Sequence, residues 1–251
     1  MVLTLASLLL SGDRLLFTLE DREKNTTKDF RTLPEVQKMM VYTGDVYLLT
    51  SSRTFSAAEG YADILKNLNR AVVVGEKTRG GAHIGRSILL TGDFLMWLPH
   101  GRVVNPVTNS NWEGTGIQPD VPIREALALS KAHLLALNKV IKDVSDKGRL
   151  FDLNWTRDQL LAAVEPAAVS PQILSSYVGK YTRGEVILEN RWLWMLSRGR
   201  KLRMTPLNDT FFVVENEPNI RIEFIPGSDN KAFDIKLHLF NGSQEILKRR
   251  D

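Results

Sequence analysis

Between Asp45 and Gly75 the chain reads strand, helix, strand, and that order limits the fold more than any other feature. Asp45-Val46-Tyr47-Leu48-Leu49-Thr50 is a short, nearly continuous apolar run, the pattern of a strand covered on both faces. Ser56 to Asn69 carries Ala58, Ala62, Leu65 and Leu68 at helical spacing. Ala71-Val72-Val73-Val74-Gly75 is β-branched and uninterrupted, a second strand of the same kind. Strand, helix and strand within about 30 residues make a βαβ unit, with parallel strands and a right-handed crossover.

The flanking segments extend an α/β reading. Met1 to Leu10 is apolar but well short of the roughly 20 residues that span a membrane. No basic residue precedes it, so it is expected to be a short buried helix, capped by Gly12, rather than an export signal. After Gly75 come a glycine-rich loop, Glu76 to His83, and strands expected at Ser87–Leu90 and Phe94–Leu98. A polar stretch to Pro122 leads into a helix expected from Arg124 to Asp146 and ended by Lys147-Gly148. A short helix is expected from Thr156 to Val164.

Past residue 170 the texture changes to short strands separated by Glu189-Asn190-Arg191, Asn208-Asp209, Pro226-Gly227 and Asn241-Gly242. The strands are expected at Val186–Leu188, Trp192–Leu196, Phe211–Val214, Ile220–Ile225 and Asp234–Phe240. The expected organisation is therefore an α/β domain over 1–147, a helical connector over 148–171, and a small β-sandwich or barrel over 172–251.

Composition narrows the chemistry. The chain has no cysteine, which excludes disulfide scaffolds, thiolate metal sites and a cysteine nucleophile. His83, His100, His133 and His238 are too scattered to suggest a metal site, and no cofactor motif is present. A net charge of +4 from 33 basic and 29 acidic residues is too small for a nucleic-acid footprint. Trp192 and Trp194 lie near Arg198, Arg200, Lys201 and Arg203, a combination that reads as a core face with a solvated hairpin tip.

Thr50-Ser51-Ser52-Arg53-Thr54-Phe55-Ser56-Ala57-Ala58-Glu59 places hydroxyl side chains between a buried strand and a helix start. Sites in open α/β sheets gather at such strand ends. A serine there lies beside free N–H groups and the positive end of the helix dipole. Ser56-Ala57-Ala58-Glu59 is equally an S-x-x-E capping box, in which Ser56 is only a cap. No G-x-S-x-G elbow occurs, so an α/β-hydrolase nucleophile is excluded.

Val46 to Glu59 resembles the nucleophile segment of the tail-specific (C-terminal processing) serine proteases. It is most similar to the branch containing tricorn core and the interphotoreceptor retinoid-binding protein repeats. Val74-Gly75-Glu76-Lys77-Thr78-Arg79-Gly80-Gly81-Ala82-His83 and Trp112-Glu113-Gly114-Thr115-Gly116-Ile117-Gln118-Pro119-Asp120-Val121-Pro122 follow in that family's order. The resemblance implies a partial ClpP/crotonase-like βαβ core with a small antiparallel β module after it. It places Ser56 on the nucleophile and the Ala57 N–H on an oxyanion donor. The lysine base of the family's dyad branch falls on Gly81, which cannot act as one. The other branch uses an orienting carboxylate that falls on Glu113. His83, with Gly80 and Gly81, is placed at the groove, as lining or as a substitute base.

In that branch the catalytic histidine and a D-x-R-x-N-x-G-G oxyanion strand precede the segment that Met1–Ser11 resembles. The resemblance thus implies an N-terminally incomplete peptidase, impaired for want of its base. The implied partner is a peptide or protein substrate, with no cofactor, metal, nucleic acid or membrane insertion. Self-association is left open. A non-catalytic module binding peptides or apolar ligands on the same fold is the alternative. Relatives are often exported, and the sequence leaves the compartment open.

Overall fold

The computed structural model describes residues 1–227 and 233–250. The chain divides into two units, Met1–Ala132 and His133–Asp251. The first opens with helix α1 (Val2–Ser7), which stops five residues before Gly12. Gly12 is therefore no helix cap; it turns the chain at φ +73° into strand β1 (Leu15–Asp21). An antiparallel partner, β2 (Thr26–Arg31), follows through a turn with Asn25 at φ +49°. This hairpin was not expected from the sequence. Helix α2 (Pro34–Gln37) begins on a proline, whose missing N–H costs nothing at a helix start.

The βαβ unit forms as β3 (Tyr47–Thr50), α3 (Ala57–Asn67) and β4 (Val72–Gly75), with β3 and β4 parallel and Thr50 opposite Gly75. Gly75 has φ +139°, and a Cβ there would lie 2.0 Å from the Thr50 carbonyl oxygen, so only glycine fits. Strands β5 (His83–Thr91) and β6 (Phe94–Val104) run longer than expected and form a hairpin. They complete a four-stranded antiparallel sheet in the order β2-β1-β6-β5. The polar stretch hides a two-residue strand, β7 (Val121–Pro122), that adds to β4 in parallel.

Ala6, Leu10, Leu16, Ile64 and Leu65 form a buried cluster that seats one face of α3. Each large side chain among them contributes about 1.5–3 kcal/mol by leaving water. The opposite part of α3 meets Ala82, Trp112 and Ile117, so the helix that begins at Ser56 is fixed from both sides.

Helix α4 (Glu125–Val140) continues into a 3₁₀ turn (Ile141–Asp143). Lys147-Gly148 then opens the next helix rather than ending this one. Asp146 accepts from the Arg149 N–H at 2.7 Å and caps α5 (Lys147–Val164), which is twice as long as the expected Thr156–Val164 helix. Helix α6 (Pro171–Ser176) is capped by Ser170.

An antiparallel meander follows: β8 (Gly179–Tyr181), β9 (Gly184–Glu189), β10 (Trp192–Ser197), β11 (Arg200–Pro206), β12 (Phe211–Val214), β13 (Ile220–Pro226), β14 (Phe233–Leu239) and β15 (Gln244–Leu247). The residues after β15 return to β8, where Thr182 N–H donates to Lys248 O at 3.0 Å and Arg250 N–H to Lys180 O at 2.8 Å. These bonds close the sheet into an eight-stranded barrel. Its interior is filled with side chains, including Tyr177 stacked on Phe224 at 3.8 Å.

Arg200, Lys201 and Arg203 belong to β11 rather than to a turn, and only Arg198-Gly199 make the hairpin bend. Lys201 and Arg203 sit over Trp194 and Trp192 at 4.8 and 4.9 Å. Those cations are engaged with the indoles of their own barrel. Among the described residues no helix is long and apolar enough to cross a membrane, and no cluster of acidic and histidine side chains is fit to hold a metal.

Candidate active site

Strand β3 delivers the chain to a tight loop at Ser51–Phe55, and Ser56 heads α3 with φ +56° and ψ −121°. Few non-glycine residues hold such a conformation, which costs about 1–3 kcal/mol unless the surroundings enforce it. Glu59 enforces it: its Oε2 accepts from the Ser56 N–H at 2.8 Å. The Ser56 side chain lies over the Glu59 N–H as in a capping box, without a hydrogen bond of good geometry. The exposed Ser56 hydroxyl therefore sits on a fixed backbone. Ala57 supplies the first helical N–H beside it, one of the donors that a helix start leaves without an internal partner.

Glu59 is the residue whose importance the sequence did not reveal. It is fully buried, yet no cation pairs with it among the described residues; four donors meet its carboxylate instead. Oε1 accepts from Thr78 Oγ1 and the Gly80 N–H, both at 2.6 Å, and Oε2 takes the Gly81 N–H at 2.9 Å besides that of Ser56. Thr78 Oγ1 in turn accepts from the Ile117 N–H at 2.7 Å. One carboxylate thus ties the head of α3 to the glycine-rich loop and, through Thr78, to the Trp112–Pro122 segment. Gly80, at φ +95°, makes this closeness geometrically feasible, because a Cβ there would lie 2.9 Å from the Gly116 nitrogen.

Ser56, Ala57, Gly81 and His83 line one apolar-walled pocket of about 310 Å³, with Trp97 and Trp112 among its walls. A Cβ at Gly81 would lie 2.1 Å from the Phe55 ring, so any side chain at position 81 has to displace that phenyl group. Glu113 stands beyond the pocket lining. Its Oε2 accepts the N–H groups of Ala82 and His83 at 2.6 and 2.9 Å and lies 3.8 Å from His83 Nδ1. Glu113 thus faces an imidazole, but its hydrogen bonds go to that residue's backbone.

Partial burial pushes the Glu113 carboxyl up; the two N–H donors and the His83 charge outweigh it and leave it below its ordinary value of 4.5. A carboxyl lowered on folding stabilises the protein above its unfolded value and loses that contribution as pH falls through the folded one. Glu113→Gln is therefore expected to flatten part of the stability loss below pH 4.5, read from urea midpoints across the acid range. The contribution is small because the side chain is more than a third exposed.

With this arrangement in place, residues 1–123 match the model of peptidase family S41. That stretch, just under half of the chain, is similar to the family. Similar solved structures include a photosystem II D1 C-terminal processing protease, 20% identical over 50% of this chain and 31% of that one, with a TM-score of 0.40. A lipoprotein from Streptococcus agalactiae is 24% identical over 53% of this chain and 47% of its own, also with a TM-score of 0.40. The chain thus spans less than half the length of these structures. The match sets residues 1–123 beside a peptidase family, and in this chain a β module follows them.

Proposed function

We propose that the N-terminal unit is a serine peptidase site in which Ser56 Oγ attacks the carbonyl carbon of a peptide bond. The reading is carried by one observation: Ser56 is held by Glu59 at positive φ at the head of α3, its hydroxyl exposed to a pocket. As the Oγ–C bond forms, the carbonyl oxygen becomes an oxyanion that the Ala57 N–H receives. The serine proton passes to a base and then to the departing amine, and water afterwards hydrolyses the acyl-serine. Glu113, the carboxylate that the resemblance assigns to orienting an imidazole base, here holds the backbone N–H groups of Ala82 and His83.

Turnover in this chain is proposed to be impaired. Among the described residues no side-chain base hydrogen-bonds Ser56 Oγ, and His83 is the single imidazole lining the pocket. A serine without an adjacent acceptor is a weak nucleophile. The expected result with a fluorophosphonate probe is faint labelling that Ser56→Ala removes and His83→Ala leaves unchanged. Strong labelling that survives His83→Ala would contradict the missing base, and strong labelling lost in both variants would make His83 the base. No labelling at all, together with a raised melting temperature on adding apolar ligands, would favour a non-catalytic binding module, for which the apolar walls of the pocket speak.

A further inference from the structure

The pocket beside Ser56 contains an acid that the proposed chemistry does not use. Ser56, Gly60, Asp63 and Ile64 share one face of α3 and all line the pocket. Asp63 is 8% exposed, and among the described residues no cation lies within ion-pair distance of it. Its Oδ1 accepts from Asn67 Nδ2 at 2.9 Å and its Oδ2 from Asn105 Nδ2. Burial raises its carboxyl above the ordinary value despite these two amide bonds. Two donors occupy about half of the roughly four acceptor positions of a carboxylate. A buried carboxylate without a counter-charge is costly, and a cation that enters the pocket relieves the cost.

The dimensions suit one kind of occupant. Seven residues of helix separate Ser56 from Asp63, about 10 Å along the axis. A lysine or arginine side chain reaches roughly 6–7 Å from its Cα at ordinary bond lengths, and the reacting carbonyl adds the remainder. The walls between, including Ile64, Trp97 and Trp112, fit an apolar stem, and indole faces also attract cations. We infer that Asp63 makes this a pocket for a lysine or arginine side chain of the bound peptide, adjoining the bond presented to Ser56. The position of that bond rests on the peptidase reading; the binding preference does not.

The test compares two blocked tripeptide amides, one ending in lysine and the other in norleucine, which has a similar stem without the ammonium group. Binding to the full chain is followed by titration calorimetry, and cleavage by the matching p-nitroanilides. The lysine peptide is expected to bind at least tenfold tighter. Asp63→Asn, which keeps a carbonyl acceptor for Asn105 or Asn67, is expected to remove that preference and leave norleucine binding unchanged. Equal binding of the two peptides by the unmodified chain overturns the inference without need of a variant. A fall in both affinities by the same factor in Asp63→Asn also overturns it, since a purely structural acid would act so. Lysine-selective binding with no anilide cleavage and no probe labelling at Ser56 supports the pocket and counts against the peptidase reading, since impaired turnover alone leaves faint labelling. Cleavage without lysine preference does the reverse.

Discussion

Replacing Glu59 with glutamine is expected to cost about 3–5 kcal/mol in the N-terminal unit and to abolish probe labelling at Ser56. The change keeps shape and volume, so packing does not account for the loss. The carboxylate accepts from Ser56 N–H, Gly81 N–H, Gly80 N–H and Thr78 Oγ1. An amide offers one acceptor oxygen and turns its NH₂ group toward the other donors. With Oε2 replaced, the N–H groups of Ser56 and Gly81 each lose a buried acceptor and face another donor. An unsatisfied buried donor costs about 1–3 kcal/mol, and there are two. Thr78 can rotate its hydroxyl; the three backbone donors cannot move without moving their segments.

The consequence for Ser56 is geometric. Its positive φ is stable only while something holds it, and without Glu59 the residue is expected to relax to an ordinary cap. Urea denaturation by circular dichroism on the full chain, with labelling measured in parallel, checks both parts. A glutamine variant within about 1 kcal/mol of the parent would show that the carboxylate is not what assembles the site. Glu59→Ala is expected to cost more still, since a cavity adds to the lost acceptors.

Glu59 also shows why the sequence yielded some of the site and withheld the rest. The S-x-x-E spacing announces a local contact, Glu59 to Ser56, because a helix start brings residues i and i+3 together regardless of context. The other three donors arrive from a loop twenty residues away, two of them as backbone N–H groups that carry no side-chain signature. Periodicity placed β3, α3 and β4 correctly from their apolar and β-branched runs and the amphipathic helix, but the strands are not covered on both faces: β3 lies at the sheet edge, and Leu49 and Val72 are exposed. It missed β1 and β2, where Thr18, Glu20 and the mostly exposed Thr26–Arg31 leave little apolar alternation to see. The Lys147-Gly148 error had a local cause: glycine is commoner past a helix end than inside a helix start, and only the Asp146 cap reverses that preference. Closure of the barrel was not legible, because the bonds between Lys180–Thr182 and Lys248–Arg250 join residues more than sixty apart through the main chain.

Arg221 supports the second strong expectation: Arg221→Ala is expected to lower the stability of the C-terminal unit by about 3–5 kcal/mol, and Arg221→Met by markedly less. The residue lies on β13, where Ile222 and Phe224 belong to the buried barrel core, and at 1% exposure it is as buried as they are. Nη1 donates to the carbonyls of Ile220 and Pro218 at 2.9 and 3.2 Å, and Nη2 to that of Trp155 on α5 at 3.0 Å. Its guanidinium sits 4.3 Å from the Trp155 ring, while Trp155 Nε1 donates to Pro218 O at 2.7 Å. The helix is thereby fastened to the sheet by this arginine and indole, together with the ring contacts of Phe151 and Trp155 with Phe240.

Burial lowers this guanidinium to about 10, with the Asp158 charge opposing, so it remains protonated at neutral pH. Set against its ordinary value, that lowering is a desolvation cost on the order of 3 kcal/mol. The hydrogen bonds and the cation–π contact, worth about 2 kcal/mol when dry, offset it. Methionine forfeits these attractions and the desolvation cost together, keeps most of the buried length, and leaves Trp155 bonded to Pro218. Alanine forfeits the attractions and opens a cavity beneath Trp155 as well. Unfolding midpoints followed by tryptophan fluorescence should therefore rank parent, methionine, alanine. A methionine variant as unstable as the alanine one would mean that the charge, rather than the filled volume, secures α5 to the barrel.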